Sequence, residues 1–111
     1  MKSHAVLILL SALASPLAAA ENAPFMIEET GQGYWRLDDA VRAVGDRDAS
    51  IVIAPGTYRD CAVQTAGVIT FRAARPGSVI FDGGICEAKA ALVLRGRGAR
   101  VEGLIYQNMR V

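Results

Sequence analysis

From Ile51 onward the chain alternates short apolar runs with turn-forming residues. The runs are IVI at 51–53, CAV at 61–63, VITF at 68–71, VIF at 79–81, ALVL at 91–94 and VEGLIY at 101–106. Each has the length of a short strand, and Pro55-Gly56, Pro76-Gly77, Asp82-Gly83-Gly84 and Gly96 to Gly98 separate them where a backbone must bend. Strands this brief, with no helices between them, do not make a doubly wound sheet. They bury their apolar sides by winding about one axis and stacking on the next turn. Taking alternate runs, Ile51, Val68 and Leu92 form one series and Cys61, Val79 and Val101 the other, a recurrence of about 17 to 24 residues. The predicted core draws on Ile51, Ile53, Val79, Phe81, Leu92, Leu94, Val101 and Leu104.

The period changes between Gly33 and Gly45. Leu37, Ala40, Val41 and Val44 fall at i, i+3, i+4 and i+7, one stripe of a helix of two to three turns. Asp38 and Asp39 suit its first turn, Arg42 its last, and Gly45 a C-terminal cap. A first strand with nothing above it leaves backbone groups unpaired, so this helix is predicted to be a lid, with Tyr34, Trp35 and Tyr58 sealing the end of the core. Residues 21–32, with Pro24 discouraging helix, read as an extended lead-in.

Met1 to Ala20 has the layout of a secretory signal: Lys2, the apolar run AVLILLSALA at 5–14, Pro16, then Ala18 and Ala20 ahead of a cleavage point before Glu21. The run falls short of the ~20 residues of a membrane span, so an exported chain, periplasmic or extracellular and free of the membrane after cleavage, is expected. Losing Lys2 and His4 leaves 11 basic and 11 acidic residues and no histidine. Neutrality gives no electrostatic case for nucleic acid, and the missing imidazole removes the commonest general base and zinc ligand. In an exported chain Cys61 and Cys86, 25 positions apart, are expected to form a disulfide. Two buried thiols remain the alternative, and a catalytic cysteine is disfavoured without a histidine to activate it.

The text LDDAVRAVGD followed by IVIAPGTYRD, and later VIFDGG and ARVEGLIYQNMRV with glycines at 83 and 103, resembles the N-terminal part of a right-handed parallel β-helix protein of the pectate lyase-like superfamily. The resemblance runs over residues 33–111. It implies an all-β fold, a right-handed parallel β-helix (solenoid) start with a short N-terminal capping helix. It also implies a polysaccharide partner, and in full-length lyases a calcium ion, with the active site on coils beyond residue 111. Superfamily members include lyases, hydrolases and non-catalytic proteins, so the fold alone fixes no activity. Two and a half to three coils fit between 51 and 111, and the last run is apolar; a truncated C-terminus is expected, or a short domain that self-associates through its open last coil.

No catalytic residue, metal ligand set or cofactor motif is identified. The carboxylates Asp60, Asp82, Glu87 and Glu102 read as turn caps or solvated groups, with calcium or uronate binding the alternative. Arg95, Arg97 and Arg100 around Gly96 and Gly98 read as a solvated loop, with acidic sugar the alternative. Asn108 is placed as a candidate inward asparagine. The chain is thus expected to be scaffold of a polysaccharide-binding or polysaccharide-processing protein, or a non-catalytic interaction protein of the same fold.

Overall fold

The computed structural model describes residues 22–111. The signal-like segment 1–20 lies outside them. The first strands form a hairpin. In β1 (Phe25–Ile27) Phe25 and Ile27 are buried while Met26 faces out, the alternation of a half-buried strand. Gly31, at φ 75°, makes the turn, its N–H donating to the Ile27 carbonyl at 2.8 Å, and β2 (Gln32–Tyr34) returns antiparallel. The helix α1 (Leu37–Val44) then buries Leu37, Ala40, Val41 and Val44 against β1, β2 and two later strands, β3 (Asp48–Ile53) and β5 (Ala62–Gln64). Arg42 pairs with Asp38 at 2.8 Å and Asp39 at 2.6 Å on its exposed face.

The remaining strands are β4 (Gly56–Tyr58), β6 (Val68–Ala73), β7 (Val79–Asp82), β8 (Leu92–Leu94), β9 (Gly98–Glu102) and β10 (Leu104–Gln107). They assemble into a five-stranded sheet in the order β2-β1-β3-β6-β9, a three-stranded sheet β10-β7-β4 and a two-stranded sheet β5-β8. Pairing is parallel from β3 to β6 to β9, through β4, β7 and β10, and between β5 and β8. It is antiparallel where β1 joins β3, with Phe25 opposite Ile53 and Ile27 opposite Ile51. The core lies between the sheets and α1 and is built on Phe25, Ile27, Leu37, Ile51, Ile53, Ile69, Phe71, Val79 and Phe81.

This arrangement corrects the expected all-β, right-handed parallel β-helix start with a capping helix. The described residues form a small compact domain of mixed and parallel sheets with one helix. The pairing edge of β3 is occupied by an antiparallel strand, not roofed by a helical lid. The reason lies in 21–32: read as a plain lead-in, this segment holds an alternating Phe25-Met26-Ile27 strand and a glycine turn. Those two features complete backbone hydrogen bonds that a helix, bonded within itself, cannot.

The expected recurrence also changes. Asp48 stands opposite Val68, Gly56 opposite Val79 and Ala62 opposite Leu92, offsets of 20, 23 and 30 residues. The Ile51, Val68, Leu92 and Cys61, Val79, Val101 series are therefore not register mates. The longer offset accommodates the connection 83–91, which carries Cys86. Of the expected core, Leu94 and Val101 are exposed, whereas Phe25, Ile27, Ile69 and Phe71, outside that expectation, are its centre.

Candidate interaction surface

Three sheets end on the same side of the molecule, and there the apolar registers lose their cover. Ile51, Phe71 and Val101 are neighbours in one row of the large sheet. The first two are fully buried, whereas Val101 is 41% exposed. In the next sheet Tyr58, Phe81 and Tyr106 share a row, and Phe81 is at 0% while Tyr106 is at 40%. In the smallest, Gln64 at 1% lies beside Leu94 at 43%. In the two larger sheets the chemistry of the row stays apolar or aromatic while its position changes. Among the described residues β8, β9 and β10 are edge strands, whose outer N–H and C=O groups meet no further strand.

Between these edges lies a groove of about 370 Å³, with Leu92, Leu94, Val101, Tyr106 and Met109 as its apolar lining and Lys89 at one side. Tyr106 ends an aromatic column. Phe25 and Tyr58 have ring centroids 5.0 Å apart, Tyr58 and Phe81 5.8 Å, and Phe81 and Tyr106 5.7 Å with planes 19° from parallel. Partial burial raises the Tyr106 phenol above its ordinary pKa.

The connection that carries Lys89 and Ala90 is fixed covalently. Cys61 and Cys86 form a disulfide, their Cα atoms 5.6 Å apart, tying the β7–β8 connection to the segment between β4 and β5. Cys86 N–H donates to the Ala90 carbonyl and Lys89 N–H to the Cys86 carbonyl, both at 2.9 Å. Within this tight loop Glu87 and Ala88 take φ of 54° and 53°, a left-handed conformation that such residues seldom adopt. Glu87 accepts hydrogen bonds from Arg95, which hold its carboxyl below the ordinary carboxylate range and raise the guanidinium in return. Lys89 lies 3.6 Å from the same carboxylate.

The other carboxylates singled out in the sequence are dispersed among structural tasks. Asp60 accepts from the Leu37 N–H at 2.9 Å, capping α1 across 23 residues where Arg36 offers no side-chain cap. Asp82 accepts from Asn108 Nδ2 at 2.8 Å, so Asn108 is an exposed tether rather than an inward asparagine. Glu102 lies 3.7 Å from Arg100, and Arg97 reaches Asp48 at 3.0 Å. No two of the four carboxylates bond a common partner, and among the described residues no group of three or more His, Cys, Asp or Glu gathers to hold a metal ion. Trp35, expected to seal the core, is 66% exposed, while its neighbour Tyr34 packs on the core.

Gln64 is a buried polar residue that sequence reasoning missed. Its Nε2 donates to the carbonyls of Gly98 at 2.9 Å and of Ala66 and Gly67 at 3.1 Å, tying the corner after β5 to the start of β9. Gly96 has to be glycine here, because a Cβ would collide with that amide and come within 2.6 Å of the Ala66 carbonyl. A glutamine one place before a threonine in an apolar-polar run gives no signal of this.

The chain matches no family model, no curated protein and no solved structure. The disulfide is compatible with an exported protein. Among the described residues no helix is long and apolar enough to cross a membrane.

Proposed function

We propose that this chain is a non-catalytic interaction domain of an exported protein, and that it binds a polypeptide by continuing its sheets at β8, β9 and β10. What carries the reading is the change in burial along single rows, from Phe71 at 0% to Val101 at 41% and from Phe81 at 0% to Tyr106 at 40%. Edge strands beside an apolar groove offer main-chain hydrogen bonds for affinity and side-chain pockets for selectivity, the chemistry of strand addition. The carboxylates Asp60, Asp82, Glu87 and Glu102 are engaged in a helix cap, a side-chain tether and ion pairs.

The test is amide exchange in the presence of a soluble peptide of alternating valine and threonine. The expected result is slower exchange at 98–107 with no change in β3, and loss of that protection in Val101→Asp. Unchanged exchange at β9 and β10 with saturating peptide would overturn the reading.

A further inference from the structure

The groove needs an occupant, and the opposite end of this same molecule carries matching features. We propose that the domain assembles head to tail, Trp35 of one copy entering the groove beside Val101 and Tyr106 of the next. This rests on the reading of the groove as a polypeptide-binding surface, and it names the partner.

Three observations converge. Trp35 is the only tryptophan in the chain and is 66% exposed, next to β2 and the start of α1. An exposed aromatic at one end and an apolar groove of about 370 Å³ at the other form the kind of pair that produces a heterologous contact. Backbone geometry agrees. The five-stranded sheet has β2 at one margin and β9 at the other. β2 is antiparallel to β1, which is antiparallel to β3, while β3, β6 and β9 are parallel. β2 therefore runs in the same direction as β9, and a copy translated along the stack presents β2 to β9 as a further parallel strand.

Charge agrees as well. From residue 87 to 111 five cations stand against two carboxylates, whereas from 22 to 44 four carboxylates stand against two cations. Groove meeting groove would bring two basic ends together; groove meeting hairpin joins opposite signs. Such a contact does not close on itself, so assembly grows with concentration rather than stopping at two copies.

The experiment is sedimentation velocity across concentration, with Trp35 emission followed on the same samples. The expected result is growth beyond the dimer with a blue shift of the single tryptophan. Trp35→Ala and Val101→Asp should each weaken self-association by about thirtyfold, as for removal of a buried aromatic anchor. Mixed together, the two variants should form a one-to-one complex and stop. There the intact Trp35 of Val101→Asp meets the intact groove of Trp35→Ala.

Chain that stays monomeric at about 1 mM overturns the proposal. So does association that Trp35→Ala leaves unchanged while Val101→Asp abolishes it, which points to groove-to-groove pairing and leaves the groove's role as a polypeptide site intact. If, in addition, the valine-threonine peptide gives no protection at β9 and β10, the groove reading itself fails. Leu94→Glu, on an exposed groove residue, repeats the Val101→Asp arm should that variant unfold.

Discussion

The first and last strands of the three sheets solve one problem in different ways. At the first end β1 pairs with β3, the α1 stripe packs on β5, and Phe25 lies against Tyr58, so the first strand of each sheet has cover. At the last end Val101, Tyr106 and Leu94 occupy equivalent rows with no such cover. In the Phe71–Val101 and Phe81–Tyr106 rows, what a position contributes thus depends on what lies beyond it more than on its residue type. The difference sets a covered hairpin end, against which the buried core lies, apart from the end at which binding is proposed.

The sharpest way to break the comparison is to truncate one row at both positions. Phe71→Ala opens a cavity in a fully buried site and should cost about 3–5 kcal/mol, enough to unfold a marginal domain. Val101→Ala, next to it in the same row, should cost about 1 kcal/mol or less, since nearly half of the side chain already meets water. Urea melts of the two variants test this, and equal losses would mean that Val101 is covered in solution even in dilute monomer.

Reduction of Cys61–Cys86 comes next in size. A loop of 25 residues is worth about 3–4 kcal/mol in the chain-entropy model, and the connection it fixes lies beside the groove. The Cys61→Ser, Cys86→Ser double variant should therefore lose stability of that order and also lose peptide protection at β9 and β10. A stability loss with undiminished peptide binding would separate the bond from the groove.

Local patterns were legible where short-range chemistry decides the outcome. The α1 stripe and the strand positions at Ile51, Ile53, Val79 and Phe81 follow from spacing and turn residues, and the Cys61–Cys86 pair from the export context. Pairing between distant strands was not legible. Three residues of β1 carry too short a pattern to separate a strand from an extended lead-in, and Gly31 alone does not reveal that β2 returns. The groove was not foreseen, because the expected open last coil belongs to a solenoid that these sheets do not form; its rows are set by offsets of 30, 25 and 30 residues between β6 and β9, β7 and β10, and β5 and β8. In the sequence Asp60 reads as a turn cap or solvated group and Gln64 is not singled out, because the Leu37 N–H and the Gly98 carbonyl that they bond are 23 and 34 residues away.

A smaller effect tests the covered end alone. Asp60→Ala removes the side-chain acceptor from the first turn of α1 and should cost about 1 kcal/mol, with the groove residues undisturbed. Peptide protection at β9 and β10 should persist in this variant. Its loss would show that the two ends are coupled through the stack rather than separable.

Alkaline titration makes the finest distinction, because a tyrosine lies in the same row at each end. Burial, and then repulsion from Asp60, raises the Tyr58 phenol above its ordinary pKa, and its hydroxyl donates to the Ala54 carbonyl at 2.6 Å. Tyr106 is raised by burial alone. In both, the neutral phenol is favoured by the folded chain. Their stabilisation is complete below the unfolded value near pH 10 and is lost as pH rises through the higher folded values. Phenolate absorbance should therefore move toward lower pH for Tyr58 in Asp60→Asn, while Tyr106 stays where it was. Adding the valine-threonine peptide should do the reverse, raising Tyr106 by further desolvation and leaving Tyr58 unchanged. Tyr58→Phe and Tyr106→Phe assign the two steps. A peptide that shifts Tyr58 instead would place binding at the hairpin end and undo the division between an end that holds the fold and an end that binds.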